Sequence, residues 1–156
     1  MAIWRAANSI NGRLCKCFAT IDGKVEELFF ASSFEASIDK NKDEMGVMGD
    51  LWTHHKASSL SGSGNFTIKY ASPVFRAMLK RYETTQVDEY FNITVVNNDP
   101  GSKAGIQTVV LLDCNIDGSV ATKFDVDSGA LEEDINFTFE GVEYPSQFVN
   151  PSTYSV

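Results

Sequence analysis

Apolar and polar residues alternate with a period of two along most of this chain, the signature of strands with one buried and one wet face. Leu14 to Ile21 alternates and runs into Asp22-Gly23, a dipeptide that tolerates the positive φ of a tight hairpin, so Val25 to Phe30 is expected to pair back on it. Phe34, Ala36 and Ile38 alternate with Glu35, Ser37 and Asp39, and Phe66, Ile68 and Tyr70 alternate with Asn65, Thr67 and Lys69. Between these strands, Gly46 to Gly64 is rich in Gly and Ser and keeps no clear period. It reads as a loop longer than most connections in compact domains, and long ordered loops are usually functional.

From Ser72 the period changes. Ser72 is placed to cap a helix over about residues 73–83, with Pro73 at the first position, where a missing N–H costs nothing. Phe75, Met78, Leu79 and Tyr82 follow at i, i+3, i+4 and i+7, an apolar stripe suited to packing on a sheet, while Lys80 and Arg81 oppose the negative end of the helix dipole. Strands resume at Glu89 to Val96, Ile106 to Asp113, Val120 to Phe124 and Leu131 to Val142, with a loop at Asn98-Asp99-Pro100-Gly101 and a second hairpin turn at Asp117-Gly118. The fold class is mainly β, two packed antiparallel sheets or a small barrel with one flanking helix, in a single domain over residues 1–156.

Composition narrows the function classes. A chain of 156 residues supports one core, and 43% hydrophobic with 22% charged residues is the balance of a folding chain. The formal net charge of −8 argues against a sequence-independent grip on nucleic acid, which depends on Lys and Arg neutralising phosphates. No apolar run approaches the roughly 20 residues that span a bilayer, and Met1 to Asn11 lacks the apolar stretch of a signal peptide, so cytoplasmic synthesis without a membrane anchor is expected. Three cysteines suit a reducing compartment, with Cys15 and Cys17 sharing one strand face as small core hydrophobes.

Chemical motifs are weak. His54 and His55 are adjacent, point opposite ways on an extended segment, and have no third ligand at a regular spacing, so they read as polar contacts of an exposed loop. Asp113, Asn115, Asp117 and Gly118 match the first half of a calcium loop, but Phe124 stands where a bidentate Glu is needed. No phosphate loop, dinucleotide fingerprint or nucleophile elbow occurs, and the acids are too spread to nominate a catalytic pair, so neither enzymatic activity nor a cofactor is expected. The rival classes are a small-molecule binding module, which a β sandwich also accommodates, and a metal enzyme built on His54 or His55.

Phe34-Glu35-Ala36 before Lys40-Asn41-Lys42, Lys56 leading to Ser61-Gly62-Ser63-Gly64, and the helix from Ser72 to Tyr82 form a series that resembles the tail tube proteins of PBSX-like prophages and contractile tails, R-type bacteriocin-like particles included. Asn98-Asp99-Pro100, Gly105 to Leu111, and Leu131-Glu132-Glu133 before Phe137-Thr138-Phe139-Glu140 extend the resemblance over nearly the whole chain. It implies a structural subunit of a virion tail, assembled in a bacterial host cytoplasm. Hexameric rings would join their inner sheets in one β-barrel and stack into a tube. Sheath, initiator or baseplate, and terminator proteins are the implied partners, and DNA would pass through the lumen without specific binding.

In such a tube the Gly46 to Gly64 loop is expected to join subunits. Gly46 and Gly49 would bend it, Leu51, Trp52 and Leu60 would anchor it, and His54, His55 and Lys56 would form a polar rim. The strand from Leu131 sets Glu132 and Asp134 opposite the apolar face of Ile135, Phe137 and Phe139, and the strand at Phe34 does the same with Glu35 and Asp39. These four acids are expected to face the lumen, as a wall that offers DNA phosphates no cations.

Overall fold

The computed structural model describes residues 3–27, 31–127 and 129–151. Two short 3-10 turns, Ala6–Asn8 and Gly12–Leu14, lead into strands β1 (Cys15–Ile21), β2 (Lys24–Glu27), β3 (Ala31–Met45) and β4 (His54–Lys69). Helix α1 (Val74–Thr85) follows, then β5 (Phe91–Asn98), β6 (Ile106–Ile116), β7 (Glu132–Phe139) and β8 (Gly141–Ser146). Asp22 at φ 51° and Gly23 at φ 75° make the tight turn expected between β1 and β2. Leu28 to Phe30, the far half of the expected second strand, lie outside the described residues.

All strand pairs are antiparallel, and they form two sheets. One runs β2-β1-β5-β6-β8 and the other β3-β4-β7, with β6 shared between them. β6 pairs with β8 as far as Leu112 and with β5 as far as Leu111, bulges at Asp113 with φ 52°, meets β5 once more where Cys114 stands opposite Phe91, and continues as Asn115 and Ile116 against Thr138 and Phe137 of β7. At the same level β7 and β8 break, where Glu140 N–H donates to Leu112 O at 3.0 Å. A bulge bends its strand and sharpens the twist, so this pair of irregularities turns the corner of the sandwich. The expected strand Leu131 to Val142 is therefore two strands, and β6 runs past Asp113 to Ile116.

Two expectations need larger corrections. Most of Gly46 to Gly64 is strand: β4 begins at His54 and pairs with β3, leaving only residues 46–53 as a turn. The glycines are there for packing, because a Cβ on Gly64 would lie 2.6 Å from Phe137 Cζ and 2.5 Å from Glu35 O, and one on Gly62 would overlap the Phe139 ring. Nor is there a hairpin at Asp117-Gly118 or a strand at Val120 to Phe124. Ile116 stands opposite Phe137, so the chain must travel back along β7 before entering it at Glu132. That connection is held by Asp117 N–H on Asn136 O at 2.8 Å and Lys123 N–H on Tyr70 Oη at 3.1 Å.

Aromatic rings fill the space between the sheets, with Phe66, Phe75 and Phe137 fully buried. Pro73, expected as the first helical residue, is instead the residue that precedes α1, so the expected cap Ser72 stands one place earlier, its Oγ accepting from Val74 N–H at 3.5 Å, and Gln86 at φ 55° ends the helix by donating to Tyr82 O. Phe75 projects from α1 to within 5.2 Å of Phe66 on one sheet and 6.1 Å of Phe91 on the other, ring centre to ring centre, so the helix plugs the sandwich. Tyr82 is exposed, and the buried stripe is narrower than the sequence pattern predicts. Lys80 and Arg81 spend their charge on Glu83 and Glu89.

Candidate assembly surfaces

β3 and β4 stay paired to Met45 and His54, but β7 accompanies β4 only as far as Gly62. Beyond that point residues 39–61 form a two-stranded arm, about 23 Å long on each side at roughly 3.3 Å per residue. Every residue from Glu35 to Ser61 is exposed. A hairpin without a third strand or a packed face is marginal in water, so this arm is built to be covered by something else.

The end of the arm is organised by Asp50. Its carboxylate accepts from Trp52 N–H at 3.0 Å and meets His54 Nε2 at 2.7 Å, and these two partners, Trp52 first, hold the acid below its ordinary range. Gly49, at φ 86°, supplies the left-handed residue, whereas Gly46 sits just past the end of β3 and takes no such conformation. The turn presents Leu51 and Trp52 at 100% and 81% exposure, together with Met48. The remaining members of the sequence-derived loop set lie on β4: His55 and Lys56 stand opposite Glu44 and Asp43, and Leu60 stands opposite Lys40. With Ile38, Leu60 continues the apolar side of the sheet out along the arm. Asp50 and Met48 were not singled out by sequence reasoning, although an Asp after Gly in a turn is a recognisable Asx signal.

The opposite face of β3-β4-β7 is polar wherever the three strands run together. Glu35, Asn65 and Asn136 stand in register across the three strands, followed by the Thr67 and Asp134 pair and the Lys69 and Glu132 pair. Asp39 shares the face farther along β3, so the four acids picked out in the sequence do lie on one surface. They are not equally bare: Glu132 is paired with Lys69, and Asp134 accepts from Thr67 Oγ1.

Glu133, which sequence reasoning passed over, points the other way. It is buried and bonds Arg76 of α1 at 2.8 Å and Val120 N–H at 3.1 Å. Arg76 also donates to Ser72 O and lies 4.7 Å over the Tyr70 ring, so one ion pair ties helix, strand and connecting loop together. The available signal was an acid in phase with Ile135, Phe137 and Phe139.

At the base of the arm a cavity of about 660 Å³ opens between β1, β5 and the start of β3, with Cys17, Phe34 and Val95 in its wall and Arg13 and Lys16 at its rim. Burial pushes the Cys17 thiol up to about 12, and burial with the nearby Asp99 charge raises Cys15. Among the described residues no three His, Cys, Asp or Glu converge as a metal site, and no helix is long and apolar enough to cross a membrane.

A family model described as phage tail tube protein matches residues 2–146. The chain belongs to the phage tail tube protein family. This tail tube protein is 36% identical over 143 residues to the phage-like element PBSX protein XkdM of Bacillus subtilis (strain 168), covering 92% of this chain and 95% of that one. The match to the uncharacterized protein YqbM of the same strain has the same identity and coverage. Its fold is shared with a chain of the PVC sheath/tube terminator structure of an extracellular contractile injection system, at TM-score 0.68 and 12% identity over 91% of this chain and 100% of that one. The SPP1 tail tube subunit matches at TM-score 0.63 and 13% identity over 95% and 91%. A chain of the 6-fold symmetrised baseplate of the anti-feeding prophage matches at TM-score 0.61 and 11% identity over 92% and 97%.

Proposed function

We propose that this tail tube protein is the non-enzymatic repeating subunit of a hollow tube, closing hexameric rings that stack along an axis. The observation that carries the reading is the exposed β3–β4 arm with its apolar tip, a structure that needs a neighbour to be stable. Six-fold closure has its precedent in the symmetry named for the anti-feeding prophage baseplate. Leu51 and Trp52 serve as anchors between subunits, with His54, His55 and Lys56 as a polar rim and Leu60 packing along the arm. Gly46 and Gly49 shape the turn that presents them. The polar face carrying Glu35, Asp39, Glu132 and Asp134 lines the lumen, through which DNA slides without specific contacts. Sheath, baseplate or initiator, and terminator proteins complete the particle, a baseplate and a sheath/tube terminator being named for the injection-system structures of like fold.

The test is particle size against concentration, by sedimentation and negative-stain microscopy. Rings or tubes should form as concentration rises or when a tail initiator complex is added. A compact monomer under all those conditions sinks the reading.

A further inference from the structure

We infer that the segment after β6, from Asp117 to Val126, is a latent strand: held off the sheet in the free subunit, it continues β6 along the outer edge of β7 when rings form, and its far side takes the outer edge of β3 in the next copy. This rests on the tube reading above and adds to it a change of fold within the subunit. β6 meets β7 with Asn115 opposite Thr138 and Ile116 opposite Phe137, and the next step of that register sets Asp117 opposite Asn136. There the bond is made, Asp117 N–H donating to Asn136 O at 2.8 Å. Carried on, the same register brings Ser119 to Asp134 and Ala121 to Glu132. Pairing stops short of this because side chains hold two of the backbone partners. Val120 N–H is turned onto the Glu133 carboxylate at 3.1 Å, and Lys123 Nζ lies 2.8 Å from Glu132 O, the acceptor that Ala121 N–H would use. Alternate residues of an antiparallel strand bond toward the same side, so Asp134 aims its N–H and C=O the way Asn136 and Glu132 aim their carbonyls. Among the described residues no strand meets Asp134 there.

The segment also has the sequence of a strand. Val120, Thr122, Phe124 and Val126 alternate with Ala121, Lys123, Asp125 and Asp127, and the register puts the first set on the core side with Ile116 and the second on the polar side with Asp117. In the subunit Phe124 and Val126 are 87% and 80% exposed, an apolar side with no sheet beneath it. Strand direction identifies the occupant. β3 ends its sheet and pairs on one side only. β3 and β7 both run antiparallel to β4, hence parallel to each other, and rotation about a ring axis preserves that direction. A direct junction of β7 with the next β3 would therefore be parallel, the less stable pairing, whereas every pair within the subunit is antiparallel. A strand continuing β6 runs against both and makes each junction antiparallel. The 15 residues of β3 are long enough to take the whole segment, including Phe124 and Val126, which run past the start of β7.

Amide hydrogen exchange of the unaltered protein, read by mass spectrometry on peptides from this segment, tests the inference. In free subunits the amides from Ser119 to Thr122 should exchange as those of an open loop do, and in tubes at least about a hundredfold more slowly, as paired strand amides do. Ala121 N–H makes no bond among the described residues of the subunit, so Ala121→Pro removes a donor that only the ladder would use. That variant should keep the melting temperature of the subunit and raise the concentration needed for tubes at least about tenfold, while Ala121→Thr, which retains the N–H, should assemble normally. Tubes in which the segment exchanges as fast as in the subunit overturn the strand and leave the tube reading standing, and so do Ala121→Pro tubes that form at the unaltered concentration. Full protection already present in the free subunit overturns the switch. Absence of any assembly, read from particle size beforehand, is the separate failure of the tube reading. Where Ala121→Pro lowers the melting temperature of the subunit, exchange in unaltered tubes decides.

Discussion

Glu133 shows what a single side chain does here. A carboxylate taken out of water costs several kcal/mol unless it is paired and hydrogen-bonded, and Arg76 with Val120 N–H supplies both. Arg76→Ala leaves the buried acid with the amide alone, and it should lower the unfolding free energy by about 3–5 kcal/mol in urea titration. Replacing both partners, Arg76→Met with Glu133→Leu, should recover most of that loss, because no charge then remains to be desolvated. Gly64 acts through space instead of charge: with Phe137 and the Glu35 carbonyl pressed against it, it admits no side chain although its strand is otherwise ordinary.

At the scale of elements, two attachments differ in kind. The C-terminal half of α1 is tied to the approach to β5 by Arg81, whose Nε and Nη2 bond the Glu89 carboxylate at 2.6 and 2.8 Å. The hydrogen bond from Arg81 holds the Glu89 acid below its ordinary value of 4.5. A carboxyl whose folded value is depressed contributes stability above its unfolded value and loses it as pH falls through the folded one. This link should therefore be intact at neutral pH and weaken on acidification below 4.5, and Glu89→Gln should remove that part of the acid dependence in thermal melts at stepped pH. The β3–β4 arm is attached only through its ladder, so its tip contributes little to the folded subunit. Trp52→Ala should leave the melting temperature of the subunit unchanged yet weaken polymerisation by more than about 2 kcal/mol, roughly thirtyfold in critical concentration. Normal assembly with a much lower melting temperature would place Trp52 in the core instead.

For the whole molecule, the sandwich separates its surfaces by chemistry: core between the sheets, a polar face where β3, β4 and β7 run together, and an apolar tip at the far end of the arm. Lysines at Glu35 and Asp134 test the lumen most cleanly, because Glu132 is already engaged by Lys69 and its reversal would set two cations side by side. Glu35→Lys with Asp134→Lys should leave assembly largely intact and slow DNA release from complete particles, most strongly at low salt, where phosphates are least screened. Cysteines at those positions should resist a bulky thiol reagent applied outside finished tubes. Free reaction would put the polar face on the exterior.

The sequence by itself determined the β class, the turn at Asp22-Gly23, a helix over about residues 73–83 that is observed at Val74–Thr85, and the two-faced character of β3, β4 and β7, because these follow from local backbone preference and a period of two. It also placed Glu35, Asp39, Glu132 and Asp134 on a common face, since parity along each strand survives once the register is set. Other features arise between segments distant in the chain. Gly62 and Gly64 look like loop residues until Phe139 and Phe137 are laid over them. Asp113 looks like a strand end until β7 and β8 break beside it, and Glu133 looks solvated until Arg76 reaches it from the helix. The cavity at the base of the arm has no local signature either, because strands far apart in sequence supply its wall. Pattern reports which face of an element is wet, while tertiary packing alone decides what each dry face, and each break in the pattern, is packed against.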